Sequence, residues 1–317
     1  MTDKTLEIQE WHGAAFPAIF GDTQSGQSLA ETMAAHKAAV TEQVEQVGAV
    51  LFRGYDVQSV EDFDKAVTAF EAPNFPYKES LSNAVRVNLT ERVFTANEAP
   101  PHISIFLHHE MAQTPIYPSK LFFYCEIAAE DGGATPLCRS DILLEQLAEK
   151  APDFVQALEA RGVKYKTVMP PNDDAQSGLG RSWRSTLTAE TRDQAQARLR
   201  QLGYSWEWQE DDVLVVTTPR LDAVKTLADG RRVFFNQLIA AFRGWKDERN
   251  DPSKSITFGD SSRIDPDDMA IAIQLSDELS FDMNWQKGDV VLVDNFIVMH
   301  GRRPFEGKRR VLASLVA

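Results

Sequence analysis

The run Leu121-Phe122-Phe123-Tyr124-Cys125-Glu126-Ile127-Ala128 constrains this chain more than any other stretch. It is apolar at consecutive positions apart from Glu126, so a strand built from it must be covered on both faces. Strand-like apolar runs recur at 49–54, 290–293, 296–300 and 309–316. Helical patterns fall between them. Leu29, Met33, Val40, Val44 and Val47 share one helical face within 28–47, and Gly48 stops that helix. Ser59 with Asp62 caps a helix over 59–70. Helices are also expected over 141–150, capped by Ser140, over 152–160, with Pro152 in its first turn, and near 267–275. Thr191 with Gln194 forms a capping box for a helix ending before Gly203. Residues 204–218 read as strands about an Asp211-Asp212 turn, and 232–239 as one more strand.

Strands of mixed spacing with inserted helices make a mainly β fold, a sandwich or barrel decorated by helices. They do not alternate regularly enough for a doubly wound parallel sheet. Residues 1–317 read as a single domain, with an extended stretch over 1–27 inside a helical lead-in over 1–75. The Pro-, Gly- and Asn-rich stretches 71–101 and 170–188 read as lid or pocket-wall segments.

Composition narrows the partners. A net charge of −14 argues against nucleic acid, whose phosphates require clustered Lys and Arg. No run approaches the roughly 18 consecutive apolar residues of a membrane span. The N-terminus lacks signal-peptide character, and Cys125 and Cys138 make no disulfide framework. A cytoplasmic location is the simplest expectation.

The chemistry concentrates at Phe106-Leu107-His108-His109-Glu110-Met111. On a strand, alternate side chains share a face, so His108 and Glu110 point together and His109 points away, toward packing. His300 sits far downstream on another apolar strand. Two histidines and a carboxylate with open positions suit a non-haem Fe(II) oxygenase. Arg309 and Arg310 follow, and alternation lets only one of them face the site, where a guanidinium could hold a dicarboxylate. Thr135, after the Asp131-Gly132-Gly133 turn, could add a hydroxyl. No Gly-x-Gly-x-x-Gly, Walker or Gly-x-Ser-x-Gly motif is present.

With these residues in place, the chain resembles the TauD/TfdA family of Fe(II)/2-oxoglutarate-dependent oxygenases, nearest to its clavaminate-synthase-like and SyrP-like members. The likeness runs from Gly48 to Ser314. It is carried by Leu107-His108-His109-Glu110-Met111, Phe122-Phe123-Tyr124-Cys125, Gly132-Gly133-Ala134-Thr135-Pro136, Gly180-Arg181-Ser182-Trp183, Val233-Phe234-Phe235-Asn236-Gln237, and Asp294-Asn295 through His300-Gly301-Arg302. The resemblance implies a double-stranded β-helix (jelly roll) fold and a dioxygenase that uses O2 and 2-oxoglutarate. It implies His108, Glu110 and His300 as iron ligands, and Thr135 and Arg310 as the grip on the distal carboxylate of 2-oxoglutarate. The retained Glu110 argues against halogenation. Ser314 stands where taurine dioxygenase has an arginine for a sulfonate, which argues against a sulfonate substrate.

The expected reaction is hydroxylation of an unactivated C–H bond in a small amino or carboxylic acid of secondary metabolism. That substrate would be free or tethered to an acidic carrier protein. Asn97, Glu98, Arg181, Asn236 and Arg302 are candidate substrate contacts. Arg302, Arg303, Lys308 and Arg309 could form a basic patch for a carrier. Desaturation or cyclisation at the same site, a zinc enzyme on the same triad, and a non-catalytic jelly-roll binding protein are the competing readings.

Overall fold

A computed structural model describes residues 6–21, 27–77, 80–82, 86–96, 99–173, 180–244 and 255–317. Two sheets face each other as a jelly roll. The larger one runs in the spatial order Leu6–Trp11, Ala14–Gly21, Ala49–Arg53, Val290–Asp294, Lys120–Ile127, Arg310–Val316 and Val93–Thr95. The smaller one runs Phe281–Met283, Thr135–Arg139, Val298–Arg302 and Ile105–His108. The apolar run read from the sequence is the strand Lys120–Ile127, paired on both edges with Val290–Asp294 and Arg310–Val316.

Both faces of that strand are covered. Leu121, Phe123 and Cys125 pack into the space between the sheets with Leu137, Met283, Val298 and Val311. Phe122 and Tyr124 point the other way, against Met33, Val40, Phe63 and Val67 of the helices Leu29–Val47 and Val60–Ala69. The outer face of the smaller sheet is covered by the helices Ser140–Lys150, Pro152–Arg161, Leu238–Gly244 and Pro266–Glu278. The site therefore lies in a four-layer arrangement, between the two sheets.

The helix Leu29–Val47 starts on a full capping box of Ser28 and Glu31 and ends on Gly48 in the left-handed region at φ 91°. A Cβ on Gly48 would also lie 2.5 Å from Val298 Cγ2, so only glycine fits there. Ser59 caps Val60–Ala69, and Thr191 with Gln194 caps Arg192–Gln201. A third sheet, Ser205–Trp208, Leu214–Thr217, Val163–Met169 and Ile256–Phe258, carries a separate apolar cluster around Trp183.

Four expectations are corrected. Residues 6–21, expected as an extended stretch of a helical lead-in, are two strands that extend the larger sheet. Residues 232–239 form only the short strand Arg232–Val233, after which the chain turns into the helix Leu238–Gly244. Asn236 Oδ1 accepts from the Leu238 amide at 2.9 Å and starts that helix. Ser140 makes no cap bond to its helix, because its hydroxyl donates to the Ile297 carbonyl at 2.9 Å. Finally, 170–188 holds the short helix Trp183–Leu187.

Candidate metal centre

His108 ends the strand Ile105–His108 and His300 lies on the neighbouring strand Val298–Arg302, where the two residues are register partners. Glu110 lies just past the end of the first strand, in a turn completed by Met111 at φ 59°. The ligand atoms of the three side chains all lie within 4.8 Å of one another. Glu110 Oε2 is 3.9 Å from His108 Nε2 and 3.6 Å from His300 Nε2. Both distances exceed the hydrogen-bond range of about 2.7–3.2 Å. The three groups face one another across a gap that suits an ion.

The donor set fits iron. His108 Nδ1 lies 2.8 Å from the Phe106 carbonyl, so it carries the proton and leaves the Nε2 lone pair directed at the gap. Burial and the neighbouring His300 push His108 down to about 4, which keeps it a neutral ligand at physiological pH. Burial works against the Glu110 carboxylate, but Arg86 and the two imidazoles outweigh it and hold the group down to about 2.

Two buried residues brace the backbone here. Asn295 Oδ1 accepts from the Glu110 amide at 2.8 Å, and its Nδ2 donates to the Glu110 carbonyl at 3.0 Å and to the Pro118 carbonyl at 2.8 Å. His109 faces away from the gap, with Nδ1 2.5 Å from the Asn295 carbonyl and Nε2 3.0 Å from the Phe234 carbonyl. Asn295→Ala strands an amide and two carbonyls, at about 1–3 kcal/mol for each group left unpaired. We expect a lower urea midpoint together with metal affinity reduced about 10–100-fold.

His109 also sets a pH response. Burial, only partly offset by the two carbonyls, pushes it down to about 3. The unfolded chain binds a proton at this residue near pH 6.5 and the folded chain does not, so acid favours unfolding. Metal-free protein should lose stability as pH falls from about 6.5 toward 4, by about 1.4 kcal/mol per pH unit for each such histidine. His109→Gln should flatten that slope in urea titrations at several pH values.

A narrow cavity beside the gap is lined by His108, His300, Thr135, Arg86, Arg302 and Arg309, among others. Thr135 Oγ1 accepts from Trp285 Nε1 at 2.9 Å, so its own hydroxyl proton is free to donate to an anion. The alternation at 309–310 holds, but the inward residue is Arg309, which corrects the assignment to Arg310. Arg310 is turned outward, 42% exposed, and pairs with Glu126 at 2.5 Å. Arg309 Nε donates to the Gly133 carbonyl at 3.0 Å, and no acidic side chain pairs with it among the described residues. Burial and neighbouring Arg302 lower it to about 10, so it remains cationic at neutral pH.

The same one-residue offset governs Ser314. It is fully buried on the face of Leu312 and Val316, against the helices, while Val311 and Ala313 face the interior. The residue on the inner face is therefore Ala313, which offers no charge to a sulfonate.

The remaining candidate contacts separate. Asn97 and Glu98 lie outside the described residues. Arg181 donates to the carbonyls of Ser80, Ser82 and Ser185 and clasps the two predicted wall segments together. Asn236 is committed to Leu238 and to the Ala223 carbonyl. Arg302 lines the cavity but donates to the carbonyls of Ala99, Pro100 and Ile103. Of the expected basic patch, Arg303 is bound to Asp282, Arg302 is held by backbone carbonyls and Arg309 faces the cavity. Arg86, Asn295 and Trp285 were missed. Asn295 lay within a recognised motif, but nothing in the sequence marked Arg86.

The family described as "Taurine catabolism dioxygenase TauD, TfdA family" matches residues 13–315. A clavaminate synthase-like protein of Arabidopsis thaliana is 42% identical over 286 residues, covering 90% of this chain and 86% of its own length. The dapdiamide synthesis protein DdaC of Enterobacter agglomerans is 26% identical over 322 residues, covering 96% and 92%. Among solved structures, a taurine dioxygenase from Burkholderia xenovorans superposes with a TM-score of 0.57 at 14% identity, covering 98% of this chain and 89% of its own. Among the described residues, no helix is long and apolar enough to cross a membrane.

Proposed function

Because the chain belongs to the TauD/TfdA family of iron- and 2-oxoglutarate-dependent dioxygenases, we propose that it hydroxylates a small amino or carboxylic acid at an unactivated C–H bond. The observation that carries this reading is the convergence of His108, Glu110 and His300 beside a cationic cavity wall. Fe(II) held by these three side chains, with 2-oxoglutarate and O2, supplies the oxidising chemistry, and succinate and CO2 are the co-products.

The protein's own residues do the rest. His108 and His300 each offer a ring nitrogen, and Glu110 offers the single negative charge. Arg309 and Thr135 hold the far carboxylate of 2-oxoglutarate, the guanidinium by charge and the hydroxyl by direction. Phe123, whose ring centroid is 5.2 Å from that of His300, covers the imidazole and limits water on that side. A substrate presented on a carrier protein is compatible with this site, but a free small molecule needs no basic docking patch.

The test is turnover. Purified protein with Fe(II), ascorbate and 2-oxoglutarate is offered amino and carboxylic acids, free and as carrier thioesters. We expect succinate in equal amount to a product one oxygen heavier. A product two hydrogens lighter would instead mark a desaturase or cyclase. No substrate-stimulated succinate from any member of the panel would count against the proposal.

A further inference from the structure

We infer that Arg86 is a positioning residue that holds Glu110 to the metal through one oxygen only, an assignment that rests on the reading above. Arg86 Nη2 lies 3.5 Å from Glu110 Oε1. The other oxygen, Oε2, is the one that faces the two imidazoles. The two oxygens of the carboxylate thus have different partners.

The guanidinium is itself held in place. It lies 5.0 Å from the ring centroid of Tyr77 and 5.5 Å from that of Phe94, and the side chain is 8% exposed. Between aromatic faces and away from water, it has little freedom to follow the carboxylate elsewhere. Asn295 fixes only the backbone of residue 110, so the choice of ligating oxygen falls to the side-chain contacts.

That choice decides how many positions remain on the ion. On a six-coordinate ion, two imidazoles and one carboxylate oxygen would take three positions. A chelating 2-oxoglutarate would take two more and leave one open. Carboxylates ligate metals through one oxygen or both. If Glu110 closed its second oxygen onto the ion, the open position would be lost. The positive charge of Arg86, 3.5 Å from Oε1, opposes that closure.

The experiment loads metal-stripped full-length protein with Mn(II) and 2-oxoglutarate. It reads exchangeable water on the ion from water-proton relaxation, normalised per bound ion. The parent should retain a rapidly exchanging water. In Arg86→Gln the enhancement should fall at least twofold as Oε1 takes its place. An enhancement equal to the parent's overturns the proposal. So does loss of Mn(II) binding by a folded Arg86→Gln, which would mean that the arginine supports the site as a whole.

If Arg86→Gln does not fold by circular dichroism, Arg86→Lys decides. Its compact ammonium lacks the planar fork, so a lowered enhancement is expected and an unchanged one overturns the assignment. A parent protein that does not bind Mn(II) with 2-oxoglutarate would sink the functional reading rather than this one.

Discussion

His108→Ala should yield a folded chain that no longer keeps Fe(II) and makes no succinate. The imidazole contributes one of three metal ligands, and its Nδ1 bond to the Phe106 carbonyl orients it for nothing else. Its side chain is 15% exposed at the mouth of the gap, so truncation removes a ligand without opening the apolar interior. Losing an orienting partner alone typically costs about 10–100-fold in metal affinity, and losing a ligand should exceed that. Iron content after desalting, chelator competition and succinate formation all read the effect. Retention of iron at the parent's affinity would refute the ligand assignment.

Arg309→Ala and Arg310→Ala should part company, although the two residues are adjacent. Arg309 lines the cavity beside Thr135, whereas Arg310 pairs outward with Glu126. Truncating one partner of a buried charge pair costs about 2–5 kcal/mol, so 2-oxoglutarate affinity should fall about 30-fold or more in Arg309→Ala. Arg310→Ala breaks an exposed pair worth at most about 1 kcal/mol and should leave that affinity within about twofold. Anaerobic calorimetry on the metal-loaded proteins separates them. The reverse order would restore Arg310 to the site.

Much of the fold was legible because local signals were unambiguous. The cap at Ser59, the capping box at Thr191 and the stop at Gly48 marked helix ends in the sequence. The strands over 6–21 were hidden by Pro17 and Gly13. Pro17 is tolerated because it falls near the register shift between Ile8 and Glu10, where the ladder is already interrupted. The apolar Phe234-Phe235 pair could not by itself tell a strand from the approach to a helix. At the site, Glu110 reaches the gap from the turn after the strand, not by alternation along it. The metal triad was readable from residue type. The choice between Arg309 and Arg310 was not, because alternation says that one faces inward and not which. The side-chain contacts separate them: Arg310 pairs outward with Glu126, and Arg309 lines the cavity. Arg86 was unreadable because it comes from an irregular segment, where no periodicity assigns a face.

The Asn295 brace carries a consequence for how the protein comes apart. One turn, at 294–297, grips Glu110 through the Asn295 side chain and His109 through the Asn295 carbonyl, and it leads straight into the strand bearing His300. Glu110 and His300 are therefore tied to the same turn and should open together. Under denaturant or heat, metal loss should coincide with the main unfolding transition instead of preceding it. Protection of the Glu110 amide against hydrogen exchange should track that same event.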